Sequence, residues 1–145
     1  MADRGESKPA LLFIDLDHFK VINDKRGHDV GDLVLQEVAI RIQSVIREGD
    51  IVARAGGDEF LVLLPQANDT VDAETVSQKI CVTLANPFRL DDDEIYISAS
   101  VGIAMWPEHG RDLKSLTRSA DQAMYAVKTS GKNGFKVSTS SIENG

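Results

Sequence analysis

The sequence predicts an α+β fold, a split β-α-β arrangement in which a central mixed sheet of about five strands is flanked by helices. Three observations lead to it. Strand-like runs alternate with stretches of helical periodicity in the order β-α-β-β-α-β-α-β. Two of the strands follow one another directly across Gly56-Gly57, as a hairpin. Hydrophobic residues make up 42% of the chain against 27% charged, a composition that can bury a core. The arrangement is of the ferredoxin-like, or palm-like, kind, and it places the first strand between its neighbours rather than at an edge.

Residues 1–9, Met1-Ala-Asp-Arg-Gly-Glu-Ser-Lys-Pro9, read as a polar tail. Ala10–Ile14 is a short apolar strand that runs into Asp15-Leu16-Asp17. Helical periodicity extends from Phe19 to about Ile46, interrupted near Gly27 to Gly31, and its later part, Leu33–Ile46, repeats apolar residues at spacings of three and four. Arg47-Glu-Gly-Asp50 stops it, with glycine in the terminator role. Ile51–Ala55 and Glu59–Leu64 are the arms of the hairpin, closed by Pro65. A second helix is predicted over Val71–Leu84, with Cys81 as a packing residue. Ile95–Ala104 reads as one alternating strand, with a segment around Phe88–Leu90 as its partner. A third helix covers Leu113–Lys128, and a last short strand Phe135–Val137. Residues 138–145 are Ser-rich and read as a flexible tail, leaving one domain over 10–137.

Acidic residues number 23 against 16 basic, for a net charge of -7. Such a surface does not attract nucleic acid or anionic lipid, so neither is expected as a partner, and any phosphate must be held by local groups or a metal. No apolar run approaches the ~18 residues that span a bilayer, and no signal peptide opens the chain. One cysteine excludes an internal disulfide. A cytoplasmic location is expected, any membrane anchor of a parent protein lying outside this segment.

Asp15 ends the first strand and Asp58 sits in the hairpin turn, and in a split β-α-β sheet these places meet. With Glu59 and Asp17 nearby they make an all-oxygen site suited to Mg²⁺, which is commonly bound through one or two protein carboxylates plus substrate phosphates. Strand ends and turns also attract Asp for Asx-turn reasons. The turn is harder to explain that way, since two glycines suffice to reverse the chain and Asp58-Glu59 adds repulsion between neighbours. Lys20, Arg54, Lys128 and Lys132 complement the acids. Lys20 opens a helix where the dipole disfavours a cation unless an anion binds there, whereas Lys128 at a helix end also suits the dipole. Asn23 and Asp32 offer an amide and a carboxylate, a pair able to read a guanine edge, though a helix cap or an Asx turn explains either singly.

These residues carry a resemblance. The segments Phe13-Ile-Asp-Leu-Asp-His-Phe-Lys20, Asn23-Asp24, Gly27-His28, Gly31-Asp32, Arg54-Ala-Gly-Gly-Asp-Glu-Phe60, Ser100-Val-Gly-Ile-Ala104 and Ala120-Asp-Gln-Ala-Met-Tyr-Ala-Val-Lys128 resemble the GGDEF domain of diguanylate cyclases, which make cyclic di-GMP from two GTP molecules. The resemblance implies that Asp15, Asp58 and Glu59 are the catalytic carboxylates. With the carbonyl of Leu16 they would hold Mg²⁺, or Mn²⁺ in its place. Glu59 would be either a metal ligand or the acceptor of the 3′-hydroxyl proton. It further implies guanine binding by Asn23 and Asp32 and phosphate binding by His18, Phe19, Lys20, Arg54, Lys128 and Lys132, where Lys132 replaces the usual arginine and loses its bidentate fork.

The resemblance also implies a homodimer. Each domain would bind one GTP and face a second, so that a monomer holds half an active site. Arg47-Glu-Gly-Asp50 is similar to the family's inhibitory product site for cyclic di-GMP. Ile51–Ala55 would separate it from the turn by roughly 17 Å of extended chain. Family domains usually begin with a helix and a DxLTGLPNR-like segment ahead of the first strand. Neither is seen here, so residues 1–9 are expected to be a truncation remnant and the apolar surface left uncovered to lower stability.

Overall fold

The computed structural model describes residues 8–139. In chain order the elements are β1 (Ala10–Asp17), α1 (Phe19–Arg26), α2 (His28–Val45), β2 (Ile51–Arg54), β3 (Glu59–Leu64), α3 (Thr70–Ala85), β4 (Phe88–Leu90), β5 (Asp93–Ile95), β6 (Ser98–Met105), α4 (Leu113–Thr129) and β7 (Gly134–Val137). Five strands form a mixed sheet in the order β2-β3-β1-β6-β7. β1 pairs antiparallel with both β3 and β6, while β6 and β7 run parallel, so the first strand is central as the sequence predicts.

β1 is buried on both faces, which is why it reads as an unbroken apolar run. Ala10, Leu12, Ile14 and Leu16 pack with Val34, Val38 and Ile42 of α2 and Val76, Ile80 and Leu84 of α3. The intervening Leu11 and Phe13 pack with Leu116, Ala120 and Met124 of α4. Cys81 lies in the first of these layers, and burial pushes its thiol up to about 11, consistent with a packing residue. No described helix is long and apolar enough to cross a membrane.

The long first helical stretch is two helices. Gly27 has φ 91, a conformation that other residues adopt only at a cost, and it ends α1 and begins α2 in one step. Gly31, expected in the break, lies inside α2. Arg41 ties α2 to the far end of α3: its guanidinium donates to the carbonyls of Thr83, Asn86 and Pro87, each at 2.8 Å, and stacks 3.6 Å from the Phe88 ring centroid.

The strand expected over Ile95–Ala104 is a correction. β5 pairs with β4 in a separate two-stranded sheet, and β6 starts only at Ser98. The alternation misled because buried Ile95 and Ile97 flank Tyr96, 61% exposed, as the chain passes from the hairpin into the main sheet. The ends of the domain are also tighter than expected. Lys8 and Pro9 accept from the N–H groups of Ala67 and Trp106 at 3.1 and 3.0 Å. Ser138 is buried and donates its N–H to Ile103 O at 2.7 Å. Residues 1–7 and 140–145 of the expected tails lie outside the described residues.

At Gly102 the backbone of α4 comes close against β6. A Cβ there would run into the Ala120 carbonyl oxygen and the Met124 amide nitrogen, both backbone atoms that cannot swing aside. Gly102→Ala is expected to cost about 3 kcal/mol, lowering Tm by about 10 °C, as thermal unfolding would show.

Candidate functional site

The β1–β3 register sets Asp15 directly opposite Glu59 on the face that α4 covers. Asp58, in the turn before β3, adds a third carboxylate, and one oxygen from each of the three lies within 4.8 Å of the others. The turn is fixed from both sides. The Asp58 carbonyl accepts from Leu16 N–H at 3.1 Å, joining it to the end of β1. Arg54 donates from Nε and Nη2 to the carbonyls of Gly56 and Gly57, each at 2.9 Å. Gly56 makes room for Glu59, since a Cβ would press on its Oε1 at 2.8 Å, whereas Gly57 has open space around it.

Burial raises Asp15 above its ordinary value, Lys128 opposes that shift, and the charges of Asp58 and Asp17 add to it. Glu59 is raised as well, by burial and then by Asp15, Asp58 and Asp121. Carboxylates held above their usual range by burial and mutual repulsion are a donor set that a hard divalent cation relieves, so these residues fit Mg²⁺ or Mn²⁺.

Asp17, expected nearby as part of the oxygen site, does something else. Its side chain is 0% exposed. Oδ1 accepts from Ser100 Oγ at 2.8 Å and Lys128 Nζ at 2.7 Å, and Oδ2 from Ser98 Oγ at 2.5 Å and Asn133 N–H at 3.0 Å. Burial alone would raise this carboxyl, but hydrogen bonds from Lys128, Ser98, Ser100 and the Asn133 amide together hold it below the ordinary value. Lys128 also reaches Asp15 Oδ1 at 2.9 Å and the Leu16 carbonyl at 3.2 Å. Its ammonium therefore lies among the carboxylates rather than in open solvent.

The remaining expected residues are distributed around this centre. His18 has φ 69 and gives α1 no side-chain cap, and Lys20 is exposed in an opening turn that carries no acid, while Phe19 is buried. Lys132 is exposed in the turn after α4, with φ 65 and its N–H on Val127 O at 2.9 Å. Between α2 and the hairpin lies a cleft of about 450 Å³, with Asp32 and Arg54 among apolar walls that include Leu35, Val52 and Phe60. Asn23 comes from α1, its buried Oδ1 without a partner and lodged against Gly31, the neighbour of Asp32. Arg47 and Asp50 stand apart, at the end of β2 away from the turn. The Asp50 carboxylate accepts Arg47 N–H at 2.8 Å, and the turn borders a hollow of about 170 Å³ with Pro65 and Gln66.

The family model described as "Diguanylate cyclase, GGDEF domain" matches residues 1–134. The chain belongs to the GGDEF-domain family. Among curated relatives, the bifunctional diguanylate cyclase/cyclic di-GMP phosphodiesterase MucR of Pseudomonas aeruginosa is 46% identical over 92% of this chain and 19% of its own length. The cyclic di-GMP phosphodiesterase PdeR of Escherichia coli is 42% identical over 92% of this chain and 20% of its own. This GGDEF domain thus spans about a fifth of these relatives. The crystal structure of the GGDEF domain of TpbB from Pseudomonas aeruginosa superposes with a TM-score of 0.89 at 40% identity, covering 94% of this chain and 86% of that one.

Sequence reasoning missed Ser98, Ser100 and Asn133. A serine at every second position of Ser98-Ala-Ser100, in a strand otherwise apolar, was the available signal, because period two puts both on one face. Asp17 loses its proton at lower pH in the fold than in the unfolded chain, so its contribution is present above about pH 4 and is lost as pH falls through the folded value. Asp17→Asn is expected to cost about 3 kcal/mol at neutral pH. The gap in Tm between wild type and variant should narrow below about pH 4 as the wild-type carboxyl protonates. A gap unchanged down to pH 2 would contradict this assignment.

Proposed function

We propose that this GGDEF domain is a diguanylate cyclase that converts two GTP molecules into cyclic di-GMP and two pyrophosphates. The observation that carries this reading is the convergence of Asp15, Asp58 and Glu59 near a cleft of about 450 Å³, roomy enough for a nucleoside and lined in part by the Asp32 carboxylate. Asp15, Asp58, Glu59 and the Leu16 carbonyl would hold Mg²⁺ or Mn²⁺. Bound there, the metal would supply Lewis acidity, making the 3′-hydroxyl more acidic and offsetting charge on the α-phosphate and departing pyrophosphate.

The chain's own residues bind and orient. Asp32 accepts from the guanine N1–H and N2–H, and the Asn23 amide complements N3 and N2. Lys20, Arg54, Lys128 and Lys132 supply positive charge for the phosphates, and the uncapped amides of the α1 opening turn add donors from 18–20. Glu59, raised by burial and its acidic neighbours, is suited to accept the hydroxyl proton when it does not ligate metal. As each 3′ oxygen bonds to the α-phosphorus of the other nucleotide, the bond from that phosphorus to the β-bridging oxygen breaks and pyrophosphate leaves. Two nucleotides require two domains face to face, so a homodimer, permanent or transient, is part of the reading.

A second reading has specific support: a non-catalytic module that binds GTP or cyclic di-GMP and regulates an attached domain. It is favoured by the relative PdeR, named only as a phosphodiesterase. Nucleotide analysis after incubation with Mg²⁺ and GTP, across a wide range of protein concentration, separates the two. Product formed at a rate rising faster than linearly supports the cyclase; nucleotide binding without turnover at any concentration supports the module. Asp58→Ala is expected to bring cyclic di-GMP formation below detection while the fold persists. We assign Arg47 to product inhibition, since Asp50 is already engaged by backbone and the arginine is left to grip an anion. Arg47→Ala should spare turnover and raise the inhibitory concentration of cyclic di-GMP about tenfold or more; unchanged inhibition would remove that site from the reading.

A further inference from the structure

Lys128 occupies an unusual position for a phosphate-binding lysine. Its ammonium is shared by Asp17 Oδ1 at 2.7 Å, Asp15 Oδ1 at 2.9 Å and the Leu16 carbonyl at 3.2 Å. Two of these three partners, Asp15 and Leu16, are those that the proposed function gives to a divalent cation. The third is not open to exchange: Asp17 is wholly buried and its remaining lone pairs are taken by Ser98, Ser100 and the Asn133 amide. Lys128 thus has one fixed anchor and two partners that a metal would claim.

An ammonium and a divalent cation on the same carboxylate and carbonyl repel each other strongly in a partly buried place. Both cannot hold these oxygens as tightly as either does alone. If Asp15 were its only carboxylate partner, the lysine would be expelled when metal bound. Asp17 changes that outcome, because it lies two residues on in the same strand, points to the same face, and keeps its charge beside the site.

We propose that Lys128 is the resident counterion of the carboxylate site, occupying Asp15 and the Leu16 carbonyl in the metal-free protein, yielding them to a divalent cation, and remaining tethered by Asp17 as it does so. Asp17 is then a positioning residue that acts through Lys128. The site is kept neutral enough to fold before metal arrives, and the cation that served this purpose stays at hand for an incoming phosphate. The proposal rests on the reading of Asp15, Asp58 and Glu59 as a metal site.

The test needs no turnover. Nucleotide-free wild type and Lys128→Met are titrated with Mg²⁺ by calorimetry, and ¹⁵N-lysine-labelled wild type is titrated by NMR, the Lys128 ammonium signal being assigned by its absence in Lys128→Arg. Lys128→Met is expected to bind Mg²⁺ on the order of tenfold more tightly, because the competing charge is gone. In wild type the Lys128 signal should move with the calorimetric midpoint and stay visible at saturation. Equal Mg²⁺ affinities overturn the proposal and leave the metal site standing. No uptake of Mg²⁺ by nucleotide-free wild type overturns the proposal but not a metal site completed by nucleotide phosphates. A signal unmoved at saturation overturns the displacement, and a signal lost to exchange with solvent overturns the tether. The NMR arm uses wild type and Lys128→Arg, so it decides even if Lys128→Met does not fold.

Discussion

β1 is hydrogen-bonded along its length to β3 on one edge and β6 on the other, and it is covered by helices on both faces. Every side chain it carries must therefore be apolar or have a dedicated partner. Asp15 and Asp17 come at the end of the strand, beside Lys128 in the last turn of α4. The same pairing that makes the strand rigid delivers Glu59 opposite Asp15, and the backbone bond from Leu16 to Asp58 brings the turn alongside. The carboxylate cluster is thus a product of sheet register and does not depend on a mobile loop for its shape.

Concentrating acids at the end of a buried strand has an electrostatic cost, visible in the raised values of Asp15 and Glu59. The fold answers it unevenly. Asp17, completely enclosed, has enough donors to stay below its ordinary range, whereas Asp15 and Glu59 are left under-compensated. Full compensation serves architecture, here the joining of β1, β6, α4 and the turn before β7. Partial compensation leaves capacity for something from solution.

Much of this was legible in the sequence because its signals are short-range. The alternation of helical and strand periods gave the element order, and the central place of the first strand followed from topology rules. Asp58 stood out because a two-glycine turn has no need of adjacent carboxylates. What could not be read were relations set by packing between distant segments. Asp17 looked like Asp15, two residues apart on one strand, and only the serines of β6 and the ammonium of Lys128 distinguish them. The break between β5 and β6 was hidden because Ile95, Tyr96 and Ile97 keep the alternation of a strand while the chain changes sheets. Asn23 and Asp32 could be chosen by chemical type, but the cleft beside Asp32 exists only once α2 is laid against the hairpin.

How α2 is laid there has a mechanical consequence. Arg41 clamps its second half to the carbonyls that end α3 and to the Phe88 ring, while Gly27 joins its beginning to α1 by a single positive-φ residue. The helix is a cantilever, fixed at the rear and jointed at the front, and Asp32 sits near the jointed end. The cleft wall that α2 supplies is therefore pinned beyond Ala39, while the turn that bears Asp32 is reached from α1 through Gly27. Whatever presses on that wall bears on a helix whose root is shared with the core.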